Sequence, residues 1–281
     1  LYRTGSVCRN GCRRGVRRPP LVCISGILTM KLLLRVAYRG SAYHGFQVQP
    51  NAVTVQEKLQ DAAEILYGKR YDLTGCSRTD AGVHAERFYC TLSAGAESAR
   101  IATERVPLAW NRFLPPDIAV QAAQIVPDEF HPRYAVREKE YRYLLRFSRI
   151  RDPFYTDLAY TVPFEPDVEA MRQAAALLCG THDYASFMAS GSSVCDTVRT
   201  VHRFTVTQDG VFTELKVAAD GFLYNMVRIL IGTLLGISRG IYRPSDMPKI
   251  LAAKDRALAG ETAPPHGLYL HRVVYGKEIL I

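Results

Sequence analysis

Two strand-forming segments that meet at a tight turn constrain the fold of this chain most strongly. Val198–Gln208 and Val211–Ala219 are rich in β-branched and apolar side chains, and Asp209-Gly210 joins them. An Asp-Gly pair between two such runs is a strong signal for a β-hairpin, because the tight turn needs residues that accept positive φ angles. The chain is therefore expected to contain antiparallel strands.

Further strand and helix patterns are mixed along the rest of the chain. Thr54-Val55-Gln56-Glu57 has the form of a capping box, and the apolar residues that follow fall on one helical face as far as Gly68. The helices are predicted at 54–68, Ile101–Phe113, 168–180, Tyr224–Ser238 and Asp246–Ala253. The other strands are predicted at Lys31–Tyr38, Tyr71–Gly75, Glu86–Ser93, Ile118–Val126, Tyr141–Phe147 and Val273–Tyr275. Hairpins combined with crossovers indicate an α+β architecture.

The pattern restarts near Arg151-Asp152-Pro153, where the chain divides into two halves of similar organisation. We predict an N-terminal subdomain of residues 30–150 and a C-terminal subdomain of residues 151–281. No sequence repeat of short period occurs in either half, so a solenoid or propeller is not expected.

The segment Tyr224–Ser238 is apolar enough to raise the question of a membrane span. Its apolar run is too short to cross a bilayer, and Asn225 and Arg228 interrupt it. Close helix packing in a protein core explains the Gly232-x-x-x-Gly236 spacing better. No membrane association is therefore predicted, and an arginine inside such a segment must be paired or functional.

The first 29 residues differ from the rest of the chain in charge. They contain six arginines, no lysine and no acidic residue, so the remainder has 30 basic and 27 acidic residues and a net charge of only +3. Local clustering of positive charge would therefore have to create any nucleic-acid-binding face. The basic start and the apolar Leu21–Leu28 resemble a signal peptide, but no cleavage site follows. We predict that Met30 is the true start and that residues 1–29 are a disordered or non-native extension.

The seven cysteines show no metal-binding pattern. There is no Cys-x-x-Cys pair, and Cys8 and Cys12 have no second pair of ligands, so a zinc site and a disulfide framework are both disfavoured. Reduced thiols in a cytoplasmic protein are the expected state. The sequence also has no Gly-x-Gly-x-x-Gly and no P-loop string, and we expect no metal, redox or nucleotide cofactor.

The segment Gly75–Ala85 carries the strongest chemical signal, and it reads Gly-Cys-Ser-Arg-Thr-Asp-Ala-Gly-Val-His-Ala. It lies between two predicted strands and is therefore a loop displayed on a sheet. Arg78 and Asp80 are two positions apart and can share one face of an extended loop. A nearby guanidinium keeps a carboxylate ionised, and an ionised carboxylate beside a substrate can act as a nucleophile. For an isolated Arg-x-Asp, a surface ion pair in a turn would be the simpler explanation.

The whole eleven-residue string resembles the catalytic loop of the TruA family of tRNA pseudouridine synthases. The resemblance extends from about Met30 to Tyr275. Its other motifs are Ala37–Gln47, Thr54–Leu59, Asn111–Ile118, Phe130–Arg133, Lys139–Tyr143, Phe222–Arg228 and Gly267–Leu270. Two positions depart from the opening motif, since Arg39 stands where the family usually has Asp and Phe46 where it usually has Trp.

The resemblance implies which residues form the site. It assigns Asp80 as the nucleophile, with Arg78 and Arg228 beside it, and it places Tyr141 against the target nucleotide. It assigns no acid–base role to His84, which we leave out of the catalytic set. The implied fold has two similar α/β subdomains whose mainly antiparallel sheets form one continuous core, with the active-site cleft between them.

The implied activity is the conversion of uridine to pseudouridine at positions 38 to 40 of the tRNA anticodon stem-loop, by a homodimer without a cofactor. The sequence leaves open whether Asp80 attacks C1′, adds to the uracil ring or assists glycal formation. Two other functions also stay open. A pseudouridine synthase could act on another RNA. A non-catalytic RNA-binding module would use Tyr141, Arg142, Tyr143 and Arg146 without needing Asp80.

Overall fold

A ten-stranded sheet is the framework of the computed structural model, which describes residues 30–93, 100–192 and 194–281. The strands are β1 (Met30–Tyr38), β2 (Leu73–Gly75), β3 (His84–Leu92), β4 (Ile118–Pro127), β5 (Glu138–Phe147), β6 (Tyr160–Val162), β7 (Gly180–Asp183), β8 (Val198–Asp209), β9 (Phe212–Ala219) and β10 (Leu268–Val274). They are ordered β4-β1-β3-β10-β5-β9-β8-β7, with β2 paired to β3 and β6 paired to β5. The predicted tail, residues 1–29, lies outside the described residues.

Strand β10 joins the two parts of the sheet. It runs parallel to β3 on one side and antiparallel to β5 on the other. The β5–β6 pair is also parallel, and the remaining pairs are antiparallel, including the β8–β9 hairpin that Asp209-Gly210 predicts. The expected fold class, α+β with a mainly antiparallel sheet, is confirmed. The division of the chain near residue 150 stays a prediction.

Five α-helices pack with this sheet in the described residues: α1 (Val55–Tyr67), α2 (Val106–Trp110), α3 (Val168–Leu177), α4 (Met226–Ser238) and α5 (Met247–Ala253). Helix α1 begins as the capping pattern predicts, since Thr54 Oγ1 accepts a hydrogen bond from Glu57 N at 3.3 Å. It ends at Gly68, which adopts the left-handed conformation. Val55 and Leu59 on its inner face are fully buried.

Helix α4 is a core helix, because nearly all of its side chains are buried. Its length and apolar character follow from that position and not from a bilayer. No helix in the described ranges is long and apolar enough to cross a membrane.

Three predicted elements differ from the structure in extent or type. The helix expected at Ile101–Phe113 is limited to the five residues of α2: Thr103–Arg105 before it form a 3-10 helix, and Asn111 ends it as the C-cap, with its side chain bonded to both backbone groups of Val120, at 3.0 and 2.8 Å. Gly180 does not close a helix but begins β7. The final strand begins at Leu268, five residues before the expected Val273, since β3 and β5 both bond to its first half.

Candidate active site

The loop of residues 76–83 connects β2 to β3 and is held firmly where it leaves the sheet. Cys76 N donates to Tyr89 O at 2.8 Å, and Tyr89 N donates to Cys76 Sγ at 3.3 Å. From β5, Lys139 Nζ donates to Cys76 O at 2.7 Å. The loop therefore starts from a fixed point on the central strands. It is shorter than the expected Cys76–Ala85, because β3 already begins at His84.

The middle of the loop is held by the last residue of β1 and by the segment that follows it. Thr79 Oγ1 shares a hydrogen bond with Tyr38 OH at 2.7 Å, and Thr79 O accepts from Phe46 N at 3.3 Å. Gly82 has a φ of +78°, a conformation that favours glycine, and its N–H donates to Tyr43 O at 3.2 Å. The residues on both sides of Asp80 are thus fixed, so the backbone position from which its side chain extends is fixed as well.

The Asp80 carboxylate is partly exposed and is paired with Arg228. Its side chain is 30% exposed, and Oδ2 lies 3.5 Å from Arg228 Nη1. Burial raises the pKa of Asp80 above its usual value, and the charge and hydrogen bond of Arg228 oppose that rise. The arginine therefore favours the ionised form of a carboxylate whose burial favours the protonated form.

Arg228 lies in the first turn of α4 and is oriented by more than Asp80. Its Nε donates to Ala263 O at 2.7 Å, and its Nη1 donates to Asn225 Oδ1 at 2.9 Å. Its backbone O accepts from Ala263 N at 3.0 Å. Ala263 therefore binds both the side chain and the backbone of this arginine, and the guanidinium is presented to Asp80 in a defined orientation.

Tyr141 lies in β5 at the base of the same site. Its hydroxyl shares a hydrogen bond with Ser77 Oγ at 3.2 Å, and its ring meets Phe222 edge to face with centroids 5.1 Å apart. Burial raises the pKa of Tyr141 well above its usual value, and the nearby Asp80 charge adds a smaller contribution in the same direction. The hydroxyl is therefore protonated at neutral pH and can donate a hydrogen bond, and the raised pKa makes it a weaker proton donor than an ordinary tyrosine.

Arg78 does not pair with Asp80, in contrast to the expected contact between the two loop residues. Its side chain is exposed and has no hydrogen bond or ion pair with any residue in the described ranges. The reason is local, because spacing of two residues does not determine side-chain direction in an irregular loop. Arg39 and Arg133 are also exposed. Arg39 precedes Gly40, whose N–H donates to His84 Nδ1 at the end of the loop at 3.0 Å. The charge of Arg133 contributes to lowering the pKa of Lys139, which bonds to Cys76 O.

His84 is a structural residue at the end of the loop. Its Nδ1 accepts a hydrogen bond from Gly40 N at 3.0 Å, so its Nε2 carries the proton and donates to His266 O at 3.1 Å. The ring also stacks on Tyr269, with centroids 4.6 Å apart. Burial lowers the pKa of His84 and favours this neutral form. Both ring nitrogens are occupied, which agrees with leaving His84 out of the catalytic set.

The opposite face of the sheet carries a network of paired charges. Arg142 is next to Tyr141 in β5 and so points to the other face, where it pairs with Glu86 and with Glu214, the latter at 3.6 Å. Arg146 pairs with Asp152 at 3.2 Å. An open cavity of about 470 Å³ lies on this side of the molecule, and its lining consists of Arg87, Glu140, Arg203, His271 and Arg272. No residue of the 76–83 loop lines that cavity.

The residues that sequence reasoning did not identify act mainly through their backbone. Ala263 binds Arg228 through its N–H and its carbonyl oxygen, and no side-chain pattern indicates that. The only signal was Gly232 inside an apolar helix, since glycine in a helix interior costs stability and so indicates a close approach. Among the described residues, no group of three or more His, Cys, Asp or Glu side chains is arranged to hold a metal ion.

Comparison with known proteins identifies the same segments of the chain. A family model described as tRNA pseudouridine synthase matches residues 35–135 and 174–276. The tRNA pseudouridine synthase A of Thermoanaerobacter sp. (strain X514) is 41% identical over 244 residues, covering 87% of this chain and 99% of that protein. The protein of the same name from Bacillus subtilis (strain 168) is 42% identical over 254 residues, covering 88% and 99%. Arg78, Asp80 and Arg228 lie within the segments that the family model matches, and Tyr141 lies between them.

Proposed function

Because the chain belongs to the TruA family of tRNA pseudouridine synthases, which are isomerases, we propose that it converts uridine to pseudouridine in tRNA with Asp80 as the nucleophile. The observation that supports this best is the Asp80–Arg228 pair in a loop that hydrogen bonds hold on both sides. An ionised, oriented carboxylate beside an aromatic side chain is suited to covalent catalysis on a nucleotide.

The reaction itself is an internal rearrangement. The bond between uracil N1 and ribose C1′ breaks, the base turns, C5 bonds to C1′, and the C5 proton leaves while N1 gains one. No atom is gained or lost overall. A base in a stacked stem cannot turn in place, so the target nucleotide must be flipped into the site at a cost of about a few kcal/mol.

Asp80 is proposed to stabilise or form the intermediate in which the base is free to turn. Attack on C1′, addition to the uracil ring and assistance of glycal formation all require the ionised carboxylate. Arg228 supports each route in the same way, by opposing the effect of burial on the Asp80 pKa. The guanidinium Nη2 has no hydrogen-bond partner within the described part of the chain, which leaves it available to the substrate.

Tyr141 is proposed to pack against the flipped base. Its ring is held edge to face by Phe222, and its hydroxyl is held by Ser77. Stacking on an aromatic ring is tolerant of the sequence around the target, because every base has a π-face. A protonated hydroxyl at this position can also donate a hydrogen bond to a carbonyl oxygen of the base.

The proposed substrate region is the anticodon stem-loop at positions 38 to 40, bound by a homodimer. Arg39, Arg78 and Arg133 support RNA binding near Asp80, because each is exposed and none has a side-chain partner among the residues that the structure describes. Unpaired guanidinium groups around a site are suited to phosphate oxygens. The cytoplasmic location expected from the sequence stays a prediction.

The alternative of a non-catalytic RNA-binding module is less well supported. It depends on Arg142 and Arg146 presenting charge beside Tyr141 and Tyr143. Both arginines lie in ion pairs with acidic residues, and their alternation with the tyrosines along β5 places them on the other face of the sheet. A basic and aromatic surface made by these four residues is therefore not formed.

Release of tritium from RNA labelled at uridine C5 tests the proposal, because the C5 proton is lost when C5 bonds to C1′. We expect release from whole tRNA and from an isolated anticodon stem-loop, and none from ribosomal RNA fragments. Mapping the pseudouridine should then place it at positions 38 to 40. Release from ribosomal RNA alone would support the second alternative, and binding of tRNA without any release would support the RNA-binding module.

A further inference from the structure

The segment of residues 259–263, here called the strap, lies directly on helix α4. Gly260 N donates to Thr233 Oγ1 at 2.9 Å, and Thr233 Oγ1 donates in turn to Ile229 O at 2.8 Å. A Cβ atom on Gly260 would lie 2.6 Å from Thr233 Cα. The strap and the helix are thus in backbone-to-backbone contact.

Gly232 makes this close contact possible. A Cβ atom at Gly232 would lie only 1.7 Å from Glu261 O, and 3.5 Å from Ala263 N. The nearest atoms belong to the strap backbone and not to the end of a flexible side chain, so a methyl group cannot be accommodated by rotation of a neighbour. Any side chain at this position therefore moves the strap away from α4.

The contact bears on Arg228, which lies one helical turn before Gly232 on the same face of α4. The strap ends at Ala263, whose backbone binds Arg228 twice. Arg228 Nε donates to Ala263 O at 2.7 Å, and Ala263 N donates to Arg228 O at 3.0 Å. Ala263 is two residues from Glu261, the residue that would meet the new methyl group. A displacement of the strap at Glu261 therefore changes the position of the atoms that orient the guanidinium.

We propose that Gly232 is a positioning residue: its lack of a side chain lets the strap approach α4 closely enough for Ala263 to hold the Arg228 guanidinium against Asp80. This inference rests on the proposed function only for its catalytic consequence. The geometric part concerns the Arg228–Asp80 pair itself and is measurable without turnover.

The helix offers a matched control in Gly236, one turn further on. A Cβ atom at Gly236 would lie 2.6 Å from the Tyr242 ring, and its nearest neighbours do not include any strap residue. Gly232→Ala and Gly236→Ala each add one methyl group to the same buried helix. Only Gly232→Ala is expected to disturb Arg228.

The deciding measurement is an NMR titration of the Asp80 carboxyl carbon in the full-length protein. Because Arg228 opposes the rise of the Asp80 pKa, a loosened Arg228 should leave that pKa higher in Gly232→Ala than in the wild type, and unchanged in Gly236→Ala. Single-turnover rates should fall by about tenfold or more in Gly232→Ala, the size expected for a lost hydrogen bond to a charged group. Affinity for tRNA should stay within about threefold.

A double-mutant cycle tests whether the effect passes through Arg228. Adding Gly232→Ala to Arg228→Ala should change neither the Asp80 pKa nor the rate any further, because the arginine that the strap orients is already absent.

Thr233→Val offers a second test of the contact between the strap and α4. It removes the acceptor for Gly260 N without adding bulk, so it should raise the Asp80 pKa by less than Gly232→Ala does. This variant replaces Gly232→Ala as the test if Gly232→Ala does not fold.

An unchanged Asp80 pKa in folded Gly232→Ala and Thr233→Val, or equal shifts in Gly232→Ala and Gly236→Ala, would overturn the inference. Failure of the wild-type protein to form pseudouridine would instead refute the proposed function, and the pKa comparison would still decide the role of Gly232.

Discussion

The guanidinium of Arg228 lies 3.5 Å from the carboxylate of Asp80, although 148 positions separate the two residues in the chain. The distance is at the long end for a hydrogen bond, so the contact acts chiefly through charge. Asp80 comes from a loop before β3 and Arg228 from the first turn of α4. The pair therefore connects the two matched segments of the chain at the point where chemistry is proposed.

Replacing Asp80 by Asn should abolish pseudouridine formation. The amide has nearly the same shape but is not a nucleophile, so turnover should fall below detection while tRNA affinity stays within about threefold. Tritium release and a filter-binding assay check the two quantities. Asp72→Asn, a change at an exposed acidic residue outside the loop, should behave as the wild type. A variant at Asp80 that kept a tenth of the wild-type rate would be incompatible with the assignment.

Arg228→Ala and Arg78→Ala should differ in their effect on the pH dependence of turnover. Arg228 lowers the Asp80 pKa, so its loss raises that pKa, and activity that needs the ionised carboxylate should then disappear at a higher pH as the solution is acidified. Arg78 has no contact with Asp80 and should leave the acid limb of the profile in place while reducing turnover. If both variants shift the profile equally, Arg78 must approach Asp80 in the complex with RNA.

Tyr141→Phe should be the milder of two changes at this position if the ring is the functional part. This change removes the hydrogen bond to Ser77 and keeps the edge-to-face contact with Phe222, so the rate should fall by about tenfold at most. Tyr141→Leu removes the aromatic surface and should reduce the rate by about a hundredfold, as expected for lost base stacking. Equal losses in the two variants would indicate that the hydroxyl carries the function.

Stability should decrease on mild acidification because of His84. Burial lowers the pKa of His84 in the folded protein below its usual value of about 6.5. As the pH drops below that value, the unfolded chain binds more protons than the folded protein, so the free energy of unfolding decreases. Protonation of Nδ1 would also remove the acceptor of Gly40 N. In urea titrations between about pH 8 and pH 5.5, His84→Asn should show a shallower decline than the exposed control His202→Asn. His266, whose pKa burial also lowers, should account for part of the remaining decline.

Binding to tRNA should weaken steeply with salt, even though residues 30–281 have a net charge of only +3. If several phosphates are contacted, affinity should fall by roughly a hundredfold or more between about 50 and 200 mM salt. Removing one of Arg39, Arg78 or Arg133 should reduce the steepness of the plot of log affinity against log salt concentration by about one, because one fewer counterion is released. Light scattering should show a homodimer under the same conditions. A flat salt dependence, or a fully active monomer, would refute this mode of binding.

Elements specified by short-range signals could be predicted from the sequence. Helix α1 has its capping residue, its apolar period and its terminal Gly68 within one segment, and the β8–β9 hairpin has its turn at Asp209-Gly210. Strand β10 was predicted only in part, because its partners β3 and β5 lie far away in the chain and its first residues follow a glycine and a proline. The short strands β6 and β7 were missed because three or four residues are too few to show the alternation of a strand.

The sequence predicted which residues belong to the site, but not which of them are in contact. The motif around Asp80 singled out Asp80, and the arginine inside an apolar segment singled out Arg228, whereas their proximity is a property of the tertiary structure. The expected pairing of Arg78 with Asp80 was wrong, because sequence spacing in a loop leaves side-chain direction undetermined. The backbone of Ala263 orients Arg228, and a backbone contact leaves no trace in residue type.

The position of β10 in the middle of the sheet affects how the protein can assemble during synthesis. Until Leu268–Val274 has left the ribosome, β3 and β5 each have an edge that is unpaired beyond the short contacts with β2 and β6, and the parts of the sheet on either side are not joined. Pairing β3 with β10 closes a loop of well over a hundred residues, which makes this step slow relative to local hairpins. Once β5 has been made, the nascent chain therefore has two strand edges that are open where β10 will pair, and completing the central sheet is a late event that waits for one seven-residue strand.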